Sequence, residues 1–234
     1  MYKLKILLVT VLVVIYSSLG LAGCGGEQKE SGGDGQAVNA EHEATRGTGK
    51  ESAVNLLAKG QQIEGMSCDY VITAGDMTME GKMWVQGEKV KHETKAEGQN
   101  IIMIFDGSAF YTYTPAENMA IKYTNEDMQG DSGEVESPLD YTEDVNEELI
   151  TELETENYEG VKCRVLLIKA KDSQDEVKMW VREDYGLPVR VEATDTDGNI
   201  YVSEFKNIKV GALPANTFEL PADVQVQDIS EIMG

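Results

Sequence analysis

Histidine is nearly missing from this chain: there are two in 234 residues, His42 and His92, beside three cysteines and two tryptophans. That scarcity removes most catalytic constellations at once. No G-x-S-x-G elbow, H-E-x-x-H helix, C-x-x-C pair, Walker loop or dinucleotide fingerprint after a strand occurs, so the signatures of serine, zinc, dithiol and nucleotide chemistry are absent. His42 lies in a polar linker and reads as solvated. His92, between Lys91 and Glu93, reads as an exposed strand residue. Carboxylate pairs of the glycosidase kind arise by number alone among 42 acidic residues, and none is marked as buried. The chain is expected to act by binding rather than catalysis, with no cofactor and no metal.

Positive charge is the second shortage. Twenty Lys and Arg stand against 42 Asp and Glu, a net charge of −22. A polyanion is repelled by such a chain, and no basic patch with interleaved aromatics offsets this, so nucleic acid is excluded as a partner. From Tyr123 through Val161 there is no Lys or Arg at all, while acids recur from Glu126 to Glu159. Clustered carboxylates suit a hard cation or a lid, yet no EF-hand spacing is present. The stretch reads as a solvated connection, helical in part around residues 142–150. The sequence Asp195-x-Asp197-Gly198-Asn199 places its glycine fourth rather than sixth in a calcium loop, with Lys206 at the acid position, and reads as a hairpin turn.

A long uninterrupted apolar run is the third absence. After Lys3 and Lys5, Ile6 through Leu21 are apolar except for Thr10, Ser17, Ser18 and Gly20, shorter and more broken than the ~20 residues a membrane span needs. Residues 1–23 therefore read as a signal peptide. Its end, Leu21-Ala22-Gly23-Cys24, resembles the bacterial lipobox, in which the cysteine thiol receives a diacylglycerol. Cys24 is thus the expected lipidation site, and the protein is expected on the extracytoplasmic face of the cell membrane, held by its lipid. Removal of Lys3 and Lys5 with the signal takes the net charge from −22 to −24. Such acidity keeps the domain off anionic headgroups, so two acyl chains must do the anchoring. Residues 24–50 carry the lipid and then a Gly-rich, polar tether, whose mean span is roughly 25 to 30 Å.

Residues 51–234 are one domain's worth of chain. A helix is expected first: Thr48 and Glu51 match a capping box, Val54, Leu57 and Ala58 give an apolar face, and Gly60 stops it. Strands follow. Tyr70, Ile72 and Ala74 alternate with polar neighbours, Lys89, Lys91 and Glu93 alternate with Val90 and His92, and Asp106-Gly107-Ser108 separates two β-rich runs. Regular strand spacing with Gly and Asn turns argues an antiparallel, mainly β domain. Lys82-Met83-Trp84-Val85 recurs as Lys178-Met179-Trp180-Val181, each followed by a charged strand and an Asp-Gly turn, so two pseudo-repeated halves are expected. Cys68 and Cys163 precede the two copies at similar distances. With Cys24 committed to lipid they form an even pair, read as a Cys68–Cys163 disulfide or as two buried free thiols.

The run from Lys178 to Val181, then Gly186-Leu187-Pro188-Val189-Arg190-Val191-Glu192, Asp197-Gly198, Phe205-Lys206-Asn207-Ile208 and Phe218-Glu219-Leu220-Pro221, is similar to the tail of the LolA-like outer-membrane lipoprotein-sorting family and its lipoprotein relatives. The resemblance spans residues 51–228 and rests on fold-type signatures. It implies an incomplete, strongly curved antiparallel β-barrel with short helices over the open side and an apolar cavity between. Met66, Met83, Trp84, Met103, Phe105, Phe110, Met179 and Trp180 are the candidate lining. Lys89 and Lys91 stand near where carriers of that family place an arginine, and Cys24 would tether what in a carrier must travel. The expected function is non-covalent binding of a hydrophobic ligand, a lipid or a lipoprotein acyl chain, by a monomer. The alternative is an envelope-sensing or protein-docking domain without a small ligand.

Overall fold

The computed structural model describes residues 51–96, 98–124, 135–143, 145–169 and 176–233. Residues 1–23 and 24–50, expected as signal peptide and lipidated tether, and residues 125–134 of the acidic stretch lie outside them, and among the described residues no helix is long and apolar enough to cross a membrane.

One helix, α1 (Ala53–Gly60), precedes eleven strands: β1 (Gly65–Ala74), β2 (Met77–Gln86), β3 (Lys89–Ala96), β4 (Gln99–Phe105), β5 (Phe110–Thr114), β6 (Met119–Tyr123), β7 (Ile150–Tyr158), β8 (Val161–Lys169), β9 (Glu176–Arg182), β10 (Pro188–Thr194) and β11 (Ile200–Val210). A short β12 (Gln225–Asp228) and α2 (Ile229–Met233) close the chain. The strands form one open, curved sheet in the order β12-β6-β5-β4-β3-β2-β1-β11-β10-β9-β8-β7. Every pairing is antiparallel except β12 with β6, which is parallel. The expected mainly β, unclosed architecture is what the chain adopts.

The two halves are laid side by side. The meander β1–β4 and the meander β8–β11 run in the same sense across the sheet and meet where β1 pairs with β11. The repeated tetrapeptides fall on β2 and β9. Both methionines, Met83 and Met179, point to the inner face, the one that α1 covers, and both tryptophans point to the other face beneath a lysine, Lys91 over Trp84 and Lys178 over Trp180. Cysteine does not follow the repeat. Cys68 lies opposite Met83, whereas Leu166 lies opposite Met179 and Cys163 lies opposite Arg182. The similar cysteine spacings are therefore not a structural equivalence.

The helix starts later than the sequence suggests. Ser52 is its N-cap, accepting a hydrogen bond from the Asn55 backbone N–H at 3.2 Å, and the buried face is Leu56 and Leu57. Gly60 closes the helix for a packing reason. A β-carbon there would come within 2.9 Å of the Gly186 carbonyl oxygen, and one on Gly186, itself at φ +69°, would sit 2.0 Å from the Leu56 carbonyl oxygen. The helix rests directly on the turn between β9 and β10. Buried Arg164, on β8, ties down its start by donating to the Glu51 carbonyl oxygen at 2.7 Å while pairing with the Glu152 carboxylate.

The acidic stretch is less of a solvated link than its composition suggests. Its helical part is two short 3-10 turns, Asp140–Thr142 and Glu147–Leu149. Val135, Leu139, Tyr141 and Val145 join the core, and the Tyr141 ring meets Phe205 at 6.2 Å. Residues 150–158 are the edge strand β7, exposed along most of its length, where Glu152, Glu154 and Glu156 discourage edge-to-edge pairing. On the outer face, residues 211–224 run from the centre of the sheet to its far edge. The Leu213 N–H donates to Gln86 Oε1 at 2.9 Å, and the Gln225 N–H donates to the Asn118 carbonyl oxygen at 3.0 Å.

Candidate functional site

Strand register sorts the residues of β1–β6 into faces. On the inner face one cross-strand row runs Cys68, Met83, His92, Met103, Thr112, Ile121. A second runs Tyr70, Gly81, Thr94, Ile101, and a third runs Met66, Val85, Val90, Phe105, Phe110, Tyr123. Not one residue that β2–β6 present to this face carries a formal charge, with His92 neutral. Their lysines, Lys82, Lys89, Lys91, Lys95 and Lys122, all alternate to the other face. In a chain with 62 charged side chains, 20 basic and 42 acidic, that segregation makes the inner face of β2–β6 an apolar trough.

The trough is filled unevenly. At its β1 side, Met66, Cys68, Tyr70 and Met83 are buried in the main core with Leu56 and Leu57 of α1. Toward β6 the side chains Ile101, Met103, Phe105, Phe110, Met119 and Ile121 are only half-buried. Phe105 and Phe110 stack at 4.3 Å across the Asp106–Ala109 turn, which the Asp106 carboxylate fastens by accepting from the Ser108 and Ala109 N–H groups.

His92 sits at the boundary between the packed and half-filled parts. It is 4% exposed, between Met83 and Met103, and neither ring nitrogen has a hydrogen-bond partner. Burial holds its pKa down at about 4. The expectation of an exposed histidine fails because the alternation that sends Lys91 and Glu93 outward turns His92 inward. Val191 occupies the corresponding place opposite Met179 in the other half. The Tyr70 ring lies 6.0 Å away, edge-on, and its hydroxyl is also unpartnered, with the Thr94 side chain as its polar neighbour. Gly81 makes room for that ring: a β-carbon there would sit 2.6 Å from the Tyr70 hydroxyl and 2.3 Å from the Glu93 carbonyl oxygen.

The eight candidate cavity residues thus separate into three places. Met66, Met83 and Met179 belong to the packed core; Met103, Phe105 and Phe110 belong to the half-buried trough; Trp84 and Trp180 lie on the opposite face. The Trp180 indole N–H donates to Glu156 at 2.8 Å, so this residue serves the outer side of the sheet. A groove of about 440 Å³ opens at Asp69, Glu80, Lys82, Glu93 and Lys95, on that outer face, and none of the eight lines it.

The disulfide reading is corrected. Cys68 and Cys163 are both free and buried, on strands separated by β11, β10 and β9. Four inter-strand steps amount to ~19 Å, against the ~7 Å that a disulfide tolerates between α-carbons. Cys68 lies in the inner-face core and Cys163 packs with Val165, Trp180 and Val189 on the other side. Burial pushes the two thiols up to about 12 and about 11 respectively. Lys91, near the place of a carrier's arginine, pairs with Glu93 at 2.9 Å on the outer face and does not enter the trough.

No family model matches the chain. A stretch of 165 residues, 68% of the chain, is 27% identical to an uncharacterized protein of Methanocaldococcus jannaschii, of which it covers 47%, so the chain spans about half the length of that curated relative. Among solved structures, an uncharacterized conserved protein from Thermus thermophilus overlays with a TM-score of 0.52 at 10% identity, covering 76% of this chain and 99% of that one. LprF from Mycobacterium bovis overlays at 0.46 with 11% identity, covering 74% and 97%. A putative outer membrane lipoprotein-sorting protein domain from Vibrio parahaemolyticus overlays at 0.33 with 13% identity, covering 70% and 93%. The Thermus likeness, at such low identity, is one of fold alone.

Proposed function

We propose that this protein is an extracytoplasmic lipoprotein, anchored through Cys24, that binds an apolar ligand such as a lipid acyl chain in the trough on the inner face of β2–β6. It acts by non-covalent binding rather than catalysis. One observation carries the reading: five consecutive strands of a strongly acidic chain turn every formal charge away from this face, and its β4–β6 end stays half-buried. Solvated β-faces ordinarily carry charge, and a contiguous apolar patch left partly open marks a place where something binds. Methionines at both ends, Met103 and Met119, give the surface the adaptability that varied chains require.

A second reading is favoured by the filled half. From β1 to β9 the inner face is occupied by α1 and by Val135, Leu139 and Tyr141, which leaves no room for a ligand there and suits a domain that docks a partner instead. Uptake of a fluorescent fatty acid separates the two. Full-length, delipidated protein is expected to bind the probe at micromolar concentration, and Met103→Glu, which puts a charge into the trough, is expected to abolish binding while leaving the β-sheet circular dichroism intact. Absence of uptake by the wild-type chain would leave only the docking reading.

A further inference from the structure

Among the described residues two buried polar side chains of the inner face, Tyr70 on β1 and His92 on β3, have no hydrogen-bond partner, and His92 is the one that stands within the trough strands β2–β6. His92 is 96% buried by its 4% exposure, and both of its ring nitrogens are unpartnered. A buried imidazole left in this state costs free energy that an apolar residue at the same place would not, as Val191 in the other half illustrates. Its row neighbours are Met83, packed, and Met103, half-buried, so the ring stands where the filled part of the trough ends. A ligand lying along Met103, Phe105 and Phe110 would bring its end to this ring.

The chemistry of that end follows from what the face lacks. A phosphate or carboxylate would need a cation, and the lysines of β2–β6 all lie on the other side of the sheet. Arg164 is inward but is engaged with Glu152 and the Glu51 carbonyl oxygen on β8, across the sheet. A neutral imidazole supplies one N–H donor and one acceptor, the complement of an uncharged carbonyl.

We propose, building on the trough reading above, that His92 is the polar anchor of the site and that the ligand is a neutral acyl ester whose carbonyl oxygen accepts a hydrogen bond from the His92 ring N–H. The apolar chain then lies over the half-buried side chains of β4 and β5, and specificity for the ester resides in His92.

The test uses full-length, delipidated protein and two probes, dipalmitoylglycerol labelled with ¹³C at its ester carbonyls and the dialkyl ether that lacks them. Wild type is expected to bind the ester about tenfold more tightly than the ether, the worth of one hydrogen bond to an otherwise orphaned group. The labelled carbonyl band should move to lower wavenumber on binding. His92→Val is expected to bind both probes alike with no band shift, and His92→Gln, which keeps a donor, to retain part of the preference. Equal wild-type affinities for ester and ether, or an ester preference that survives His92→Val, would overturn the assignment of His92 and leave the trough standing. Failure to bind either probe would bring down both.

Discussion

Replacing His92 by valine should change how the stability of the domain responds to acid, because the fold holds this imidazole neutral. Its pKa is about 4 in place, against 6.5 for the free side chain, and burial is the cause. Between these values the unfolded chain takes up a proton that the native chain refuses, so stability falls as pH drops through 6.5 and the loss levels off only below the native pKa of about 4. With those two values the loss from this one group is about 2 kcal/mol at pH 5 and about 3 kcal/mol at its limit. Met83 and Met103 flank the ring, the Tyr70 ring lies edge-on beyond, and no charged residue of β2–β6 shares the face. No neighbouring charge of these strands offsets the penalty. Urea denaturation of wild type and His92→Val at pH 7 and pH 5 isolates the effect, since the carboxylates contribute equally to both proteins. The variant should lose about 2 kcal/mol less than wild type between the two pH values. An identical loss would show that His92 titrates normally, and hence that it is solvated or hydrogen-bonded.

Other consequences follow from the packing. Gly81→Ala would place a β-carbon 2.3 Å from the Glu93 carbonyl oxygen and 2.6 Å from the Tyr70 hydroxyl, and should lower stability by about 2 kcal/mol or more in urea melts, whereas a change below ~0.5 kcal/mol would mean that Tyr70 does not lie over this glycine. Arg164→Met should free the start of α1 and cost about 2 kcal/mol, reduced from the cost of a fully buried pair because Glu152 is 31% exposed, with amide exchange rising first in residues 53–60. Cys68 and Cys163 should resist Ellman's reagent in the native protein and react in guanidinium, with an intact mass showing no two-dalton deficit between them.

How much of this was legible beforehand depends on the range of the interaction. Local signals read true: the Asp106 and Asp195 turns are fastened by their own carboxylates, and alternation along β1 puts Tyr70 and Ile72 in the core. The same alternation already placed His92 beside Val90 and opposite to Lys91, so its burial could have been read from period two alone. The duplicated tetrapeptide located β2 and β9 correctly. It misled about the cysteines because a three-residue difference in register, invisible in spacing, pairs Leu166 rather than Cys163 with the second copy. Only the sheet order could show Cys68 and Cys163 to be four strands apart. Composition counted eight apolar candidates for one cavity. Which of them face inward, and which of those α1 has already covered, depends on pairing and on the close contact of Gly60 with Gly186, and neither leaves a mark in sequence.

If Cys24 carries the proposed anchor, the trough at β4–β6 is expected to hold an acyl ligand when the protein is taken from the membrane of its own cells. Native mass spectrometry of the full-length protein, extracted from that membrane in mild detergent, tests it directly. Wild type should carry a non-covalently bound neutral acyl lipid that collisional activation releases, and Met103→Glu should carry none. A wild-type spectrum showing the chain with no non-covalently bound lipid would contradict the proposed binding.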